Sequence, residues 1–284
     1  MNANARELAA GFDIEKLTPE FYADPYPTYR ALREHAPVKQ MPNGSWFLTR
    51  YDDLITAYKN TKAFSSGKKK EFTPKYGDSL LYEHHTTSLV FNDPPAHTRV
   101  RRLIIGALSP RAIAAMEPDL IALVERLLDG LAAKGDVDLI EDYAAAIPIE
   151  VIGNLLDVPH DERGPLRDWS LAILGALEPV ISAEAFARGN KAVKDFLAYL
   201  ETLVERRRAK PGNPQHDVLT RLIQGEGNGE DNGERLTAKE LLHNCIFLLN
   251  AGHETTTNLI GNGLVALSRN SDQKNRLGWP GESL

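Results

Sequence analysis

The chain carries a single cysteine, Cys245, in 284 residues. That excludes a disulfide within the chain and suits a reducing compartment such as the cytoplasm. No run of about 18 apolar residues occurs, so a membrane-spanning helix is not expected. The first residues, MNANARELAAGFDIEKL, are interrupted by charges and lack the apolar centre of a secretion signal. Positive charge is not in excess either. The net charge of −6 provides no basic field for nucleic acid or an anionic membrane. There is no internal repeat, which argues against a solenoid. The expectation is a cytoplasmic protein with no membrane or nucleic-acid partner. Its 42% hydrophobic and 25% charged composition is that of an ordinary globular chain, long enough for one large domain or two small ones.

What is present is mainly helical periodicity with one early β element. FYADPYPTYRALREHAP opens on prolines and gives a short helix ended by Pro37. In VKQMPNGSWFLTRY, Asn43-Gly44 between two strand-like runs signals a hairpin. DDLITAYKNTKAFS follows as a short helix. Residues 65–88 have weak periodicity and read as a long connecting loop with short structured pieces, Lys68-Lys69-Lys70 being a solvated tip. Helical patterns resume in HTRVRRLIIGALSP, RAIAAMEPDLIALVERLLDGLAAKG, DLIEDYAAAIPIEVIGNLLDVP and DERGPLRDWSLAIL. Another runs from near Ser182 to LETLVERRRAK. GEGNGEDNGE (225–234) is an acidic, Gly-rich connector. The last helix starts at the capping-box pattern of Thr237 to Glu240 and meets no proline until after Asn270. Such a helix spans about 50 Å, so its middle should be deeply buried.

That middle reads LLNAGHETTT. Glycine and threonine are poor mid-helix residues, so something other than helix stability accounts for them. Ala251 and Gly252 remove bulk and let something wide lie against the helix. Thr255 can compete for a backbone carbonyl, and Glu254 beside it offers an acid and a hydroxyl to a proton-transfer chain. A kinked core helix with a small-residue contact is the alternative. His253-Glu254 also begins an H-E-x-x-H pattern, but position 257 is Thr257, so the second zinc ligand is missing and no metal site is expected.

The second constellation is FNDPPAHTRVRRLIIGALSPRAI. Its prolines suit a helix start. His97 and Arg101 lie one turn apart on one face, a clamp suited to carboxylate or phosphate. A basic surface helix is the alternative.

These two stretches resemble the C-helix region and the central I helix of bacterial cytochromes P450. DPYPTYRALREHAPV, WFLTRYDDL, EDYAAAIPIEVIGNLLDVP and NSDQ resemble the flanking segments of that family in the same order, so the likeness runs from about residue 20 to 275. The resemblance implies a mainly α, incomplete cytochrome P450 fold with a small N-terminal β element, read as a single partial domain. It implies a monooxygenase lineage with heme b as cofactor. The lineage oxidises an apolar small molecule with O2 and draws electrons from a ferredoxin- or flavodoxin-type donor. By matching position, Glu254 and Thr255 take the catalytic proton-relay roles, Ala251 and Gly252 line the oxygen and substrate pocket, and His97 and Arg101 bind heme propionates. The family's cysteine thiolate lies in a Gly-rich loop well downstream of the I helix, and neither that loop nor the later Glu-x-x-Arg is found here. Cys245, inside the long helix, reads as structural. Glu205-Arg206-Arg207-Arg208 matches Glu-x-x-Arg literally but reads as a solvated face. The tail NRLGWPGESL departs from the helix the family would continue. The expectation is a truncated form, inactive alone, with exposed apolar surface. A non-catalytic helical small-molecule or heme-binding fragment is the alternative, with weak heme contact through His97, His84 or His85.

Overall fold

The computed structural model describes residues 2–108, 110–212, 217–225 and 235–277. Two compact units emerge, one of Met1–Ser66 with Leu177–Ser182, the other of Gly67–Ala176 with Ala183–Leu284.

The first unit holds α1 (Asn2–Gly11), α2 (Pro19–Ala23), α3 (Tyr26–His35), strands β1 (Val38–Gln40) and β2 (Trp46–Leu48), and α4 (Tyr51–Lys59). The strands pair antiparallel, Val38 opposite Leu48 and Gln40 opposite Trp46. Gly44 turns the hairpin at φ +85°, a conformation that favours glycine. Ala9, Phe12, Ala31, Leu32 and Met41 form the core, with Phe21, Tyr29 and Phe47 packed against it. Lys39 crosses from β1 to donate to the Ala9 and Ala10 carbonyls at 2.6 Å, satisfying the end of α1.

The second unit begins with α5 (Lys69–Tyr76) and α6 (Leu80–Thr87). Residues 65–88 are therefore largely helical, not the connecting loop their weak periodicity suggests. Pro74 lies inside α5, and each helix is only 8 residues long. Their stability comes from burying Phe72, Tyr76, Leu81, His84 and His85 against neighbours, which propensity does not report. The lysine run is not a loop tip either: Lys69 and Lys70 begin α5, and Lys68 just before them pairs with Glu71 at 2.5 Å.

After a 3₁₀ turn at Leu89–Phe91 come α7 (Ala96–Ala107), α8 (Pro110–Ala114) and α9 (Glu117–Lys134). The RAIAAMEPDL stretch is thus two helices, because Pro118 belongs to the first turn of α9 and ends the preceding one. A π-helical turn (Ile140–Ala144) leads into α10 (Ala146–Leu155), and a 3₁₀ turn (His160–Glu162) into α11 (Leu166–Gly175). Then follow α12 (Ala183–Ala209), α13 (Val218–Gln224), α14 (Ala238–Arg269) and α15 (Ser271–Arg276). Helices α11, α12 and α14 pack around Ile173, Phe196, Leu200, Ile246 and Leu249, all fully buried. The acidic connector at 226–234 and the tail glycines and proline, Gly278, Pro280 and Gly281, lie outside the described residues.

The literal Glu-x-x-Arg on α12 lies on a solvated face, as expected, with Glu205, Arg206 and Arg208 exposed, and ion pairs run along it. Arg206 binds Glu162 through two 2.7 Å hydrogen bonds, and Arg207 pairs with Asp157 and Asp217. No described helix is long and apolar enough to cross a membrane. The far half of α14 leaves Leu259, Leu264 and Val265 exposed, as Ile105 is on α7.

Candidate functional site

Helix α14 starts where the capping box predicts. The Thr237 hydroxyl accepts from the Glu240 amide at 3.1 Å, and Glu240 accepts from the Thr237 amide at 2.9 Å. The helix then runs 32 residues without a break in its α-helical assignment. Its centre presents two opposite faces. His253 and Thr257 are buried, while Ala251, Thr255 and Asn258 are exposed along one stripe. The Thr255 hydroxyl donates to the Ala251 carbonyl at 2.8 Å, and Thr257 does the same to His253 at 2.9 Å. These bonds use the hydroxyl protons locally and leave the Thr255 oxygen free to accept.

Gly252 has a different job from the one expected of it. A Cβ there would sit 2.5 Å from Ile152 Cδ1 of α10. The room made by the glycine is occupied by a neighbouring helix, not left for a ligand. Gly261 admits Ile140 of the π-helical turn in the same way. Of the small pair, only Ala251 lies on the exposed face with Thr255. Glu254 is half-buried beside them, and no described ion pair engages it.

His253 turns inward, with Nδ1 3.4 Å from the Ser170 hydroxyl of α11. Burial, with a smaller push from Arg167, lowers its pKa. It is a core histidine. Among the described residues no cluster of histidine, cysteine or acidic side chains could hold a metal ion.

On α7, Val100 and Ile104 are buried and hold the helix against the unit. His97 is half-buried and Arg101 exposed, one turn apart as the spacing requires. Arg101 has no ion-pair partner among the described residues, so its guanidinium is uncommitted. His97 lines a hollow of about 230 Å³ together with Lys69, Thr86, Thr87, Asn92 and Glu240. The hollow thus carries an imidazole and an ammonium beside the Arg99-paired Glu240 carboxylate, while the Asn92 amide and the Thr86 hydroxyl donate to backbone carbonyls.

The sequence reading overlooks the residue that ties the two constellations together. Arg99 grips both Glu240 oxygens and donates to the Arg235 carbonyl at 2.7 Å. Both side chains of the pair are about four-fifths buried, at 20% and 18% exposure. Burial works against the Glu240 charge, yet Arg99 and the Thr237 amide hold its carboxyl below the ordinary range. The helix bearing His97 and Arg101 is thereby fixed to the first turn of α14, about 16 Å along the axis from Ala251. Asn244 adds a second tie, accepting from the Leu89 amide at 3.0 Å and donating to the Glu240 carbonyl at 2.7 Å.

Which of these residues fit a heme? Uncommitted His97 and Arg101 suit its carboxylates, and the small exposed face at Ala251 and Thr255 suits one side of a flat ring. Among the described residues no iron ligand accompanies them. Cys245 is fully buried inside α14, and burial pushes its thiol up to about 12, so it is no thiolate at neutral pH. His84 and His85 are each 2% exposed and offer no outward ring. The chain fits the group on its carboxylate edge and one face only.

Comparison with known proteins bears on the fold and the family. Residues 170–278 match the family model described as cytochrome P450. The chain is 34% identical over 260 residues to the vitamin D(3) 25-hydroxylase of Pseudonocardia autotrophica, covering 90% of this chain and 61% of that relative. It is 33% identical to the cytochrome P450 monooxygenase PikC of Streptomyces venezuelae, covering 92% of this chain and 60% of that one. Among solved structures it superposes on CalO2 with a TM-score of 0.82 at 28% identity, over 92% of this chain and 64% of the other. The chain spans about three-fifths of the length of these curated relatives, and it belongs to the cytochrome P450 family.

Proposed function

We propose that residues 1–284 are part of one P450 domain, the part that grips heme carboxylates and roofs one face of the ring, and that the chain alone is not a competent monooxygenase. The observation that carries this reading is the pairing of an uncommitted His97–Arg101 turn with a sole cysteine buried inside a helix. When bound, heme with a thiolate ligand supplies oxygen activation. His97 and Arg101 hold its carboxylates by charge-assisted hydrogen bonds. Ala251 leaves space beside the ring, and Glu254 and Thr255 hold and pass protons there, Glu254 as the acid and Thr255 through its hydroxyl. Completed to the full domain, the chain would take an apolar small molecule as substrate and electrons from a ferredoxin- or flavodoxin-type donor in the cytoplasm.

Hemin titration of the chain, followed by absorbance, tests the clamp. Binding should weaken about tenfold in Arg101→Ala, the loss of one charge-assisted contact worth about 1.4 kcal/mol. Unchanged affinity would remove Arg101 from the site. After reduction and addition of CO, the Soret band typical of thiolate ligation should be absent. Its presence would show that Cys245 reaches the iron after all.

In a chain completed with a thiolate-bearing C-terminal portion, Thr255→Ala should uncouple oxygen consumption from product formation. Thr255 is exposed and its hydroxyl bonds only its own helix, so stability should change by less than about 0.5 kcal/mol. Full coupling in that variant would take Thr255 out of the relay.

A further inference from the structure

Helix α6 carries adjacent histidines, His84 and His85, both buried at 2% exposure, and faces a third, His243 of α14, at 1%. His84 Nδ1 lies 3.4 Å from His243 Nδ1, and His243 Nε2 lies 3.1 Å from Glu83 Oε1. The other Glu83 oxygen takes the Lys239 ammonium at 2.6 Å. Proton positions follow from this chain of contacts. Glu83 accepts, so His243 Nε2 donates. The His243 Nδ1 is then an acceptor, and His84 must donate from its own Nδ1. Both contacts are satisfied with Glu83 charged and both rings neutral.

An added proton disturbs this order. If His243 takes it, the bond survives only when His84 moves its own proton to Nε2. A second proton, on His84, sets two N–H groups facing each other across 3.4 Å in a buried space. His85 has no better option. Its Nε2 is buried with no partner, and Phe72, Tyr76 and Phe91 surround its ring at 5.5–5.8 Å between centroids.

Among the described residues, the other carboxylates near α6 are already paired, Glu71 with Lys68 and Glu240 with Arg99. Helix α5 brings Lys75, whose charge repels a protonated His85, and Tyr76, which donates to the Ala176 carbonyl at 2.7 Å. Helix α14 brings Lys239, His243 and Asn244, and α12 brings Gly189 against Leu81 and Asn190, which accepts from the Leu81 amide at 3.1 Å. Glu83 is already shared between Lys239 and His243.

We propose that α6 is a pH-released latch: in mild acid, proton uptake by His84 and His85 undocks it from α14 and opens the hollow beside His97. Thr86 and Thr87, at the end of α6, form one wall of that hollow, so movement of α6 uncovers it. The latch rests on the histidine cluster alone and stands whether or not heme binds.

The direction follows from linkage. Burial pushes His84 well below the ordinary histidine range and His85 to about 4, and it lowers His243 against the pull of Glu83. The undocked state, with ordinary histidines near 6.5, therefore binds more protons. Docking is favoured above that value and is lost as pH falls below it. From His85 alone, undocking at about pH 5 should be about 30-fold more favourable than at about pH 8.

Hydrogen exchange of the full chain at these two pH values, corrected for intrinsic rates, reads this. Protection of the α6 amides should fall by about 30-fold or more, with α12 unchanged. Equal protection at both values, or the same fall in α6 and α12, overturns the latch. In His85→Gln the α6 response should shrink by about 30-fold, and an undiminished response overturns it. Should that variant not fold, imidazole resonances of the unmodified chain decide: His84 and His85 titrating at or above the ordinary range overturn the proposal, and titration well below it supports the proposal.

Discussion

Phe196→Ala should lower unfolding stability by about 4 kcal/mol, the cost of emptying an aromatic site in a packed core. Phe196 has no exposed surface, and its ring lies 5.1 Å from that of Trp169 across the α11–α12 contact. Leu200 and Ile173 in the same core are fully buried and cannot relax far into the space. For a chain of this size the change corresponds to a fall of about 10 °C in the melting midpoint. Urea titration should show a lower midpoint with an unchanged slope, because the surface exposed on unfolding is nearly the same. A loss below about 1 kcal/mol would mean that α11 and α12 do not share this core.

Glu240→Ala should cost about 3 kcal/mol. The change removes the N3 half of a capping box, worth about 1 kcal/mol. It also leaves Arg99 four-fifths buried without its carboxylate. Glu240→Gln should recover part of the loss, since an amide oxygen can still accept from the Thr237 amide but no longer pairs with a guanidinium. The coupling between Arg99→Ala and Glu240→Ala in a double-mutant cycle should be about 2 kcal/mol. Additive losses would show that the two side chains do not act on each other in solution.

Much of this frame was legible from residue patterns, and the failures have physical causes. The long helix announced itself by a cap at Thr237 and a proline-free stretch after it, features that act within one segment. The hairpin was legible for the same reason, since Asn43-Gly44 sets its own turn. Helices α5 and α6 were hidden because Pro74 and a lysine run mask their local preference, while their stability comes from burying Phe72 and Leu81 elsewhere. At the site, the spacing of His97 and Arg101 gave a shared face correctly. It could not say which of the arginines at 99, 101 and 102 meets a carboxylate 141 residues further on. Gly252 misled for a related reason. A glycine in a buried helix records a close approach without naming what approaches, and here that is Ile152.

The double anchoring of Glu240 also fixes a phase. Its own cap and Arg99 together set the rotation of α14 about its axis at one end. Three turns later that rotation decides which residues look outward. One extra residue inserted between Glu240 and Ala251 would turn everything beyond it by about 100°. His253 would swing toward solvent, and Thr255 would leave the exposed stripe. The count of residues between anchor and centre is thus a gauge, and it holds the threonine in place as surely as any bond made at the threonine itself.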